Sequence, residues 1–198
     1  MSMTIGILIF EGTEELDFAG PWEVFTMAGA LGQDLKTLLI AETKDPVTCA
    51  KGLRVLPDVD FATAPALDLV LVPGGRGTRR EVDNPVLLEW LARVSEACTW
   101  VTSVCTGALL LAEAGPARGR RITTHWGAVD LVRDRGRAGE VLTGVRYVRD
   151  GKLVTSAGVS AGIDMALWLL GQIYDPAFAR AVQREMEYDP APPYAAEV

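Results

Sequence analysis

The run Val101-Thr-Ser-Val-Cys-Thr-Gly107 ends an apolar, β-branched stretch on a cysteine and passes at once into the helical pattern of Ala108 to Ala114. A strand that turns sharply into a helix at its nucleophile needs small residues two before and two after it, and Ser103 and Gly107 meet that need around Cys105. The thiol then faces the first turn of the helix, whose free N–H groups and dipole predict a lowered thiol pKa. The competing reading is a buried, inert cysteine, because Cys is among the most buried residue types. The strand-turn-helix setting favours the nucleophile.

Two further strand ends hold groups that could serve such a thiol. Leu71-Val-Pro-Gly-Gly-Arg-Gly77 places Gly74 and Gly75 directly after a buried strand, where bare backbone N–H groups can approach a developing oxyanion. Read alone, Gly-Gly is a plain turn, and the run matches neither a P-loop nor a dinucleotide fingerprint. Phe10 to Pro21 holds four carboxylates, of which Asp17 lies between Leu16 and Phe18. A carboxyl desolvated beside a thiol would have a raised pKa and could carry protons; Asp17 could equally cap a helix beginning near Pro21. Glu11, Glu14 and Glu15 read as a solvated loop face. His125, the one histidine of the chain, could form a Cys-His pair or occupy a structural or rim position. Ala157-Gly-Val-Ser-Ala-Gly-Ile-Asp164 is a glycine-bracketed turn that suits a close approach to a site with Val159 as an apolar wall, or tight packing alone.

Strands alternating with longer helical patterns must position these groups, which predicts an α/β fold with a mostly parallel sheet covered on both faces. Thr4 to Phe10, Leu35 to Ala41, Leu67 to Val72 and Trp100 to Val104 read as buried strands. Thr48 to Ala50 and Leu53 to Pro57 suggest a small hairpin around Lys51-Gly52. Val145 to Val148 and Leu153 to Ser156 suggest another, joined by Asp150-Gly151. Helices are predicted over Pro21 to Ala30, Pro85 to Ala97, Thr106 to Ala114, Trp126 to Arg135, Ser160 to Leu170 and Pro176 to Glu187, three of these regions opening on a proline. Asp189 to Tyr194 is too proline-rich for a helix and should run extended. No internal linker interrupts residues 1–198, so one domain is the economical reading.

Composition narrows the chemistry. With 26 acidic against 19 basic side chains and a net charge of -7, the chain offers no basic footprint for nucleic acid. Cys49, Cys98 and Cys105 show no C-x-x-C spacing, and with His125 they form no recognised zinc arrangement, so no metal site is expected. The odd cysteine count and the absence of a signal sequence point to free thiols in a reducing cytoplasm. No apolar run approaches the roughly 20 residues of a membrane span.

Together these residues resemble the DJ-1/PfpI superfamily, with its class I glutamine-amidotransferase-like, flavodoxin-like three-layer sandwich, and within it the isocyanide hydratase branch. The resemblance rests on Gly6-Ile-Leu-Ile-Phe10, Leu16-Asp17 with Gly20-Pro21, Pro73-Gly-Gly75, the Cys105 run, Ala114-Gly115, Thr123-Thr-His-Trp126, Val148-Arg-Asp-Gly151, Ala161-Gly-Ile-Asp164 and Glu187-Tyr188 with Pro190-Ala-Pro-Pro193, in order along the chain. It implies a homodimer without cofactor that attacks a small electrophile through Cys105, partnered by the acid Asp17, with Thr106 as a further polar group. Peptidase-like members often carry His after the cysteine, where Thr106 stands here. DJ-1-like members commonly use Glu where this chain has Asp17. Val159 stands where the hydratase branch carries a different β-branched residue, and the hydratase continues beyond the proline run. The same block forms the sensing half of many AraC-type regulators, so a non-catalytic small-molecule sensor is the alternative. A redox sensor acting through Cys105 is a third.

Overall fold

The structure is a computed structural model and describes residues 2–190. The chain opens with β1 (Met3–Leu8), α1 (Glu15–Ala30) and β2 (Leu35–Ala41), followed by three two-residue strands, β3 (Val47–Thr48), β4 (Arg54–Val55) and β5 (Val59–Asp60). Next come β6 (Leu69–Val72), the single turn α2 (Thr78–Glu81), α3 (Pro85–Ala97), β7 (Trp100–Val104) and α4 (Gly107–Ala114). After β8 (Arg121–Thr123) a 3-10 turn at Trp126–Ala128 leads into α5 (Val129–Asp134) and β9 (Glu140–Leu142). The hairpin β10 (Tyr147–Asp150) and β11 (Leu153–Ser156) and the helices α6 (Ala161–Ile173) and α7 (Pro176–Glu185) complete the chain.

The main sheet has the order β10-β11-β7-β6-β1-β2-β5. Every pairing is parallel except β10 with β11. Its strands are apolar on both faces because helices cover both. Ile5, Ile7 and Ile9 point into a core shared with Phe25 of α1, Leu169 of α6 and Val182 of α7. Leu8 and Phe10 point the other way, among Leu87 and Leu91 of α3 and Leu109 of α4. Each side chain of this size withdrawn fully from water contributes roughly 1.5–3 kcal/mol, so β1 and the two residues after it hold the three layers together strongly. This is the predicted α/β sandwich.

Local chemistry fixes the element ends. Asn84 Oδ1 accepts from Val86 N at 3.1 Å and caps α3 ahead of Pro85. Asp175 Oδ1 accepts from Phe178 N at 2.8 Å and caps α7 ahead of Pro176. The first helix departs from expectation. It starts at Glu15 rather than near Pro21, so Pro21 lies inside it and Asp17 belongs to its first turn instead of capping it. The missing N–H of Pro21 leaves the Asp17 carbonyl without its usual helical partner. α1 also lies close against α6, where a side chain on Gly20 would reach within 2.8 Å of Ile163 and one on Gly162 within 3.2 Å of Pro21.

Both predicted hairpins form. β3 and β4 pair antiparallel, and the β10–β11 turn falls at Gly151-Lys152, one residue later than expected, with Gly151 at φ 66°. The region 126–135 splits into the 3-10 turn and α5 instead of one helix. The parallel pair β8–β9, the edge strand β5 and α2 were not anticipated. From residue 191 onward, the extended tail expected for Asp189 to Tyr194 lies outside the described residues. No helix among the described residues is long and apolar enough to cross a membrane.

Candidate active site

β1 sits between β2 and β6, so the chain leaves it in one direction and returns on the other side. Crevices at the carboxyl ends of strands flanking such a reversal are where α/β sheets bind ligands. The loops after β1, β6, β7 and β11 meet there and bring Asp17, Gly74, Cys105 and Val159 together.

Cys105 stands at the turn from β7 into α4 with φ 56°, left-handed backbone that a side chain rarely adopts. The surroundings hold it there. Its N–H is 3.0 Å from Ala157 O and 3.2 Å from Ser156 O, and its carbonyl accepts from Thr124 Oγ1 at 2.9 Å. Gly107 must be glycine, because a Cβ there would lie 2.0 Å from the Val72 carbonyl oxygen. The elbow is therefore built as the sequence predicts.

Asp17 is fully buried. Its Oδ2 accepts from Gly74 N at 2.8 Å, while Oδ1 lacks a well-formed hydrogen bond. Burial pushes its carboxyl up to about 7, against the lowering effect of the Gly74 N–H, the Cys105 thiol and the Val159 N–H. The Cys105 thiol also moves upward, to about 12. Burial is the larger cause and the Asp17 charge the second; the Thr106 backbone and hydroxyl and the Val159 N–H pull the other way. This reverses the lowered thiol pKa expected from the start of α4, because desolvation and a neighbouring carboxylate outweigh a few backbone dipoles. The thiol and the acid thus form one buried pair that holds a proton at neutral pH.

The glycines have different tasks from the one anticipated. Gly74 N–H is occupied by Asp17, and Gly75 N–H donates to Thr106 Oγ1 at 3.1 Å, so neither is free to stabilise an oxyanion. They orient the acid and the residue after the nucleophile. A side chain on Gly74 would come within 2.5 Å of Thr106 N and 2.9 Å of Asp17 Oδ2. Val159, half-buried at φ 50°, lends its backbone N–H to the pair as well as lining a cavity of about 570 Å³ with His125 and Trp126. A β-branched residue at positive φ is a strained conformation of the kind kept at working sites.

His125 does not join the thiol. Its Nδ1 accepts from Gly127 N at 3.1 Å, and its ring packs so closely on Gly158 that a Cβ there would lie 2.2 Å away. Glu14 and Glu15 bind Lys51, and Glu11 Oε1 accepts from Thr48 N, so this loop is pinned rather than freely solvated. Sequence reading missed Arg79, whose Nη1 lies 3.4 Å from Thr106 Oγ1; an arginine in a polar loop carries no signal of where its end will rest. Cys49 and Cys98 are buried and free. No cluster of three or more acidic, His or Cys side chains able to hold a metal occurs among the described residues.

Comparison with known proteins agrees with this architecture. An isonitrile hydratase of Pseudomonas putida is 37% identical over 98% of this chain and 82% of its own. The crystal structure of a ThiJ/PfpI family protein from Pseudomonas syringae superposes with a TM-score of 0.90 at 32% identity, covering 100% of this chain and 80% of that one. The transcriptional regulator CdhR of Pseudomonas aeruginosa is 30% identical over 93% of this chain but only 55% of its own length. The sequence profile of the DJ-1/PfpI family matches residues 3–172, and the chain belongs to that family.

Proposed function

We propose that the protein hydrates an isocyanide to an N-substituted formamide, with Cys105 as nucleophile and Asp17 as the group that moves protons. The observation that carries the reading is the buried thiol–carboxyl pair, in which Asp17 has a pKa of about 7 beside Cys105 and no histidine is hydrogen-bonded to either. The similarity to an isonitrile hydratase supports the choice of substrate.

The isocyanide carbon is a soft electrophile suited to sulfur. In the first half-reaction the sulfur forms a bond to that carbon while Asp17 takes the thiol proton and passes it to the same carbon, giving a thioimidate on Cys105. In the second, Asp17 removes a proton from water as its oxygen adds to the carbon, and the nitrogen takes up a proton. The carbon–sulfur bond then breaks, the sulfur recovers a proton, and the formamide leaves. One acid that alternates between donor and acceptor serves both halves. Thr106, held by Gly75 N–H, offers its hydroxyl to the sulfur as negative charge develops there. The working unit in this reading is a homodimer without cofactor.

The direct test is incubation of the purified protein with an alkyl or aryl isocyanide, following formamide by chromatography. Turnover by wild type and none by Cys105→Ala is expected; full turnover by Cys105→Ala would sink the mechanism. The similarity to CdhR favours a second reading, in which the cavity beside Val159 binds a small molecule without reaction. That reading expects a ligand-dependent rise in melting temperature with no product formed.

A further inference from the structure

Arg79 brings a cation to the edge of the same site. Its Nη1 donates to Gly75 O at 3.1 Å and lies 3.0 Å from Thr78 Oγ1 and 3.4 Å from Thr106 Oγ1. Those contacts fix one end of the guanidinium beside the residue that follows the nucleophile. The side chain is otherwise exposed, and a guanidinium has five N–H donors, so those on Nε and Nη2 remain to bind a ligand. Arg76, Arg79 and Arg80 line a cavity of about 590 Å³. Arg80 is paired with Glu81, and Glu11, the one carboxylate lining the cavity among the described residues, receives Thr48 N–H on Oε1. Neither Arg76 nor Arg79 has a carboxylate partner among the described residues. Two unneutralised guanidinium groups on a chain of net charge -7 are poised to bind an anion. The cavity beside Val159 offers no such cation, because its Arg146 is paired with Asp164.

We propose that Arg79, assisted by Arg76, makes the site select electrophiles that carry an anionic group, a carboxylate in the simplest case, which the free guanidinium donors of Arg79 hold beside Thr106 while the reactive carbon reaches Cys105. The inference rests on Cys105 being a nucleophile toward small electrophiles, and it is tested apart from hydration.

Iodoacetate and iodoacetamide present the same reactive carbon and leaving group and differ in charge. With either, the Cys105 sulfur bonds to the methylene carbon, the carbon–iodine bond breaks, iodide leaves with the electron pair, and the thiol proton passes to Asp17 or water. The ratio of the two alkylation rates, read by mass on the peptide carrying Cys105, is independent of how much thiolate is present. Relative to N-acetylcysteine in the same buffer, the wild-type ratio should favour iodoacetate by about tenfold, as expected for one partly solvated charge at contact. It should shrink as salt is raised. Arg79→Gln should return the ratio to that of the free thiol, while Arg79→Lys keeps most of it. Equal ratios in wild type and Arg79→Gln overturn the proposal, and failure of either reagent to label Cys105 overturns it together with the reading it rests on. In a second arm, kcat/KM for isocyanoacetate over that for methyl isocyanoacetate should exceed 1 in wild type and fall toward 1 in Arg79→Gln. Absence of turnover on both esterified and free forms, with the alkylation ratio still dependent on Arg79, removes the hydratase and keeps the anion selectivity.

Discussion

The proton count of the Cys105–Asp17 pair sets how the site answers to pH. Below about pH 7 the pair holds two protons, and above it holds one until the thiol loses its own near 12. Thiol with carboxylate, and thiolate with carboxylic acid, are two arrangements of the same singly protonated pair, so a titration reports the pair rather than either member. Attack requires that state. The expected profile of kcat/KM for isocyanide hydration therefore rises with pH through about 7 and stays level through the mildly alkaline range, measured in buffers of constant ionic strength. Asp17→Asn should lower the rate by about 10²–10⁴ while leaving the circular dichroism unchanged, and it should remove the rise near 7. A near-normal rate in that variant would return Asp17 to a structural role. His125→Ala should retain most of the wild-type kcat. At this scale the sequence was informative where a residue type and its chain neighbours define the chemistry, as with the Cys105 elbow and Asp17 among apolar residues. It is silent on where backbone N–H groups point, so it cannot show that those of Gly74 and Gly75 turn to Asp17 and Thr106. It was equally silent on Arg79, whose role depends on a loop folding back onto Thr106.

Elements place these groups through glycines at close approaches. Gly107→Ala would set a methyl carbon 2.0 Å from the Val72 carbonyl oxygen, a backbone atom that cannot rotate away, so β6 and α4 would have to separate. We expect this variant to melt well below wild type and to lose labelling selectivity at Cys105, both read on one preparation by thermal denaturation and peptide mass. Gly115→Ala is a useful control, since nothing among the described residues lies within 4 Å of the added carbon, although φ 122° leaves it some backbone strain. The strands of the sheet were legible because burial on both faces demands unbroken apolar runs, as in Thr4 to Phe10. The start of α1 was misread because Pro21 is a strong start signal, whereas here the packing of Gly20 and Pro21 on α6 keeps the proline inside a helix that begins earlier. β8 and β9 escaped notice because each is three residues long and only partly apolar, below the length at which periodicity speaks.

For the molecule as a whole, the raised Asp17 pKa is a statement about stability. The folded state binds this proton more tightly than the unfolded chain does, so its contribution is complete at and below about pH 4 and is withdrawn as pH rises through 7. The full effect is roughly 4 kcal/mol for a group buried this deeply. Wild-type melting temperature should fall between pH 5 and 8 more steeply than that of Asp17→Asn, and the variant should melt several degrees higher at pH 8. Matching slopes would show that Asp17 is not the protonated group.

The three parts of the site come from distant stretches of chain, and translation delivers them in a fixed sequence. Asp17 is synthesised first and Cys105 some ninety residues later, but the carbonyls of Ser156 and Ala157 that receive the Cys105 N–H, and the N–H of Val159, come last. Until β11 docks on β7, the thiol lacks the Ser156 and Ala157 carbonyls that hold its backbone and the Val159 N–H that faces it. A growing or refolding chain thus passes through a window of chemical vulnerability that closes with one strand pairing between residues about fifty apart. Pulsed alkylation during refolding should therefore show Cys105 gaining protection no earlier than the β11 amides gain protection from hydrogen exchange.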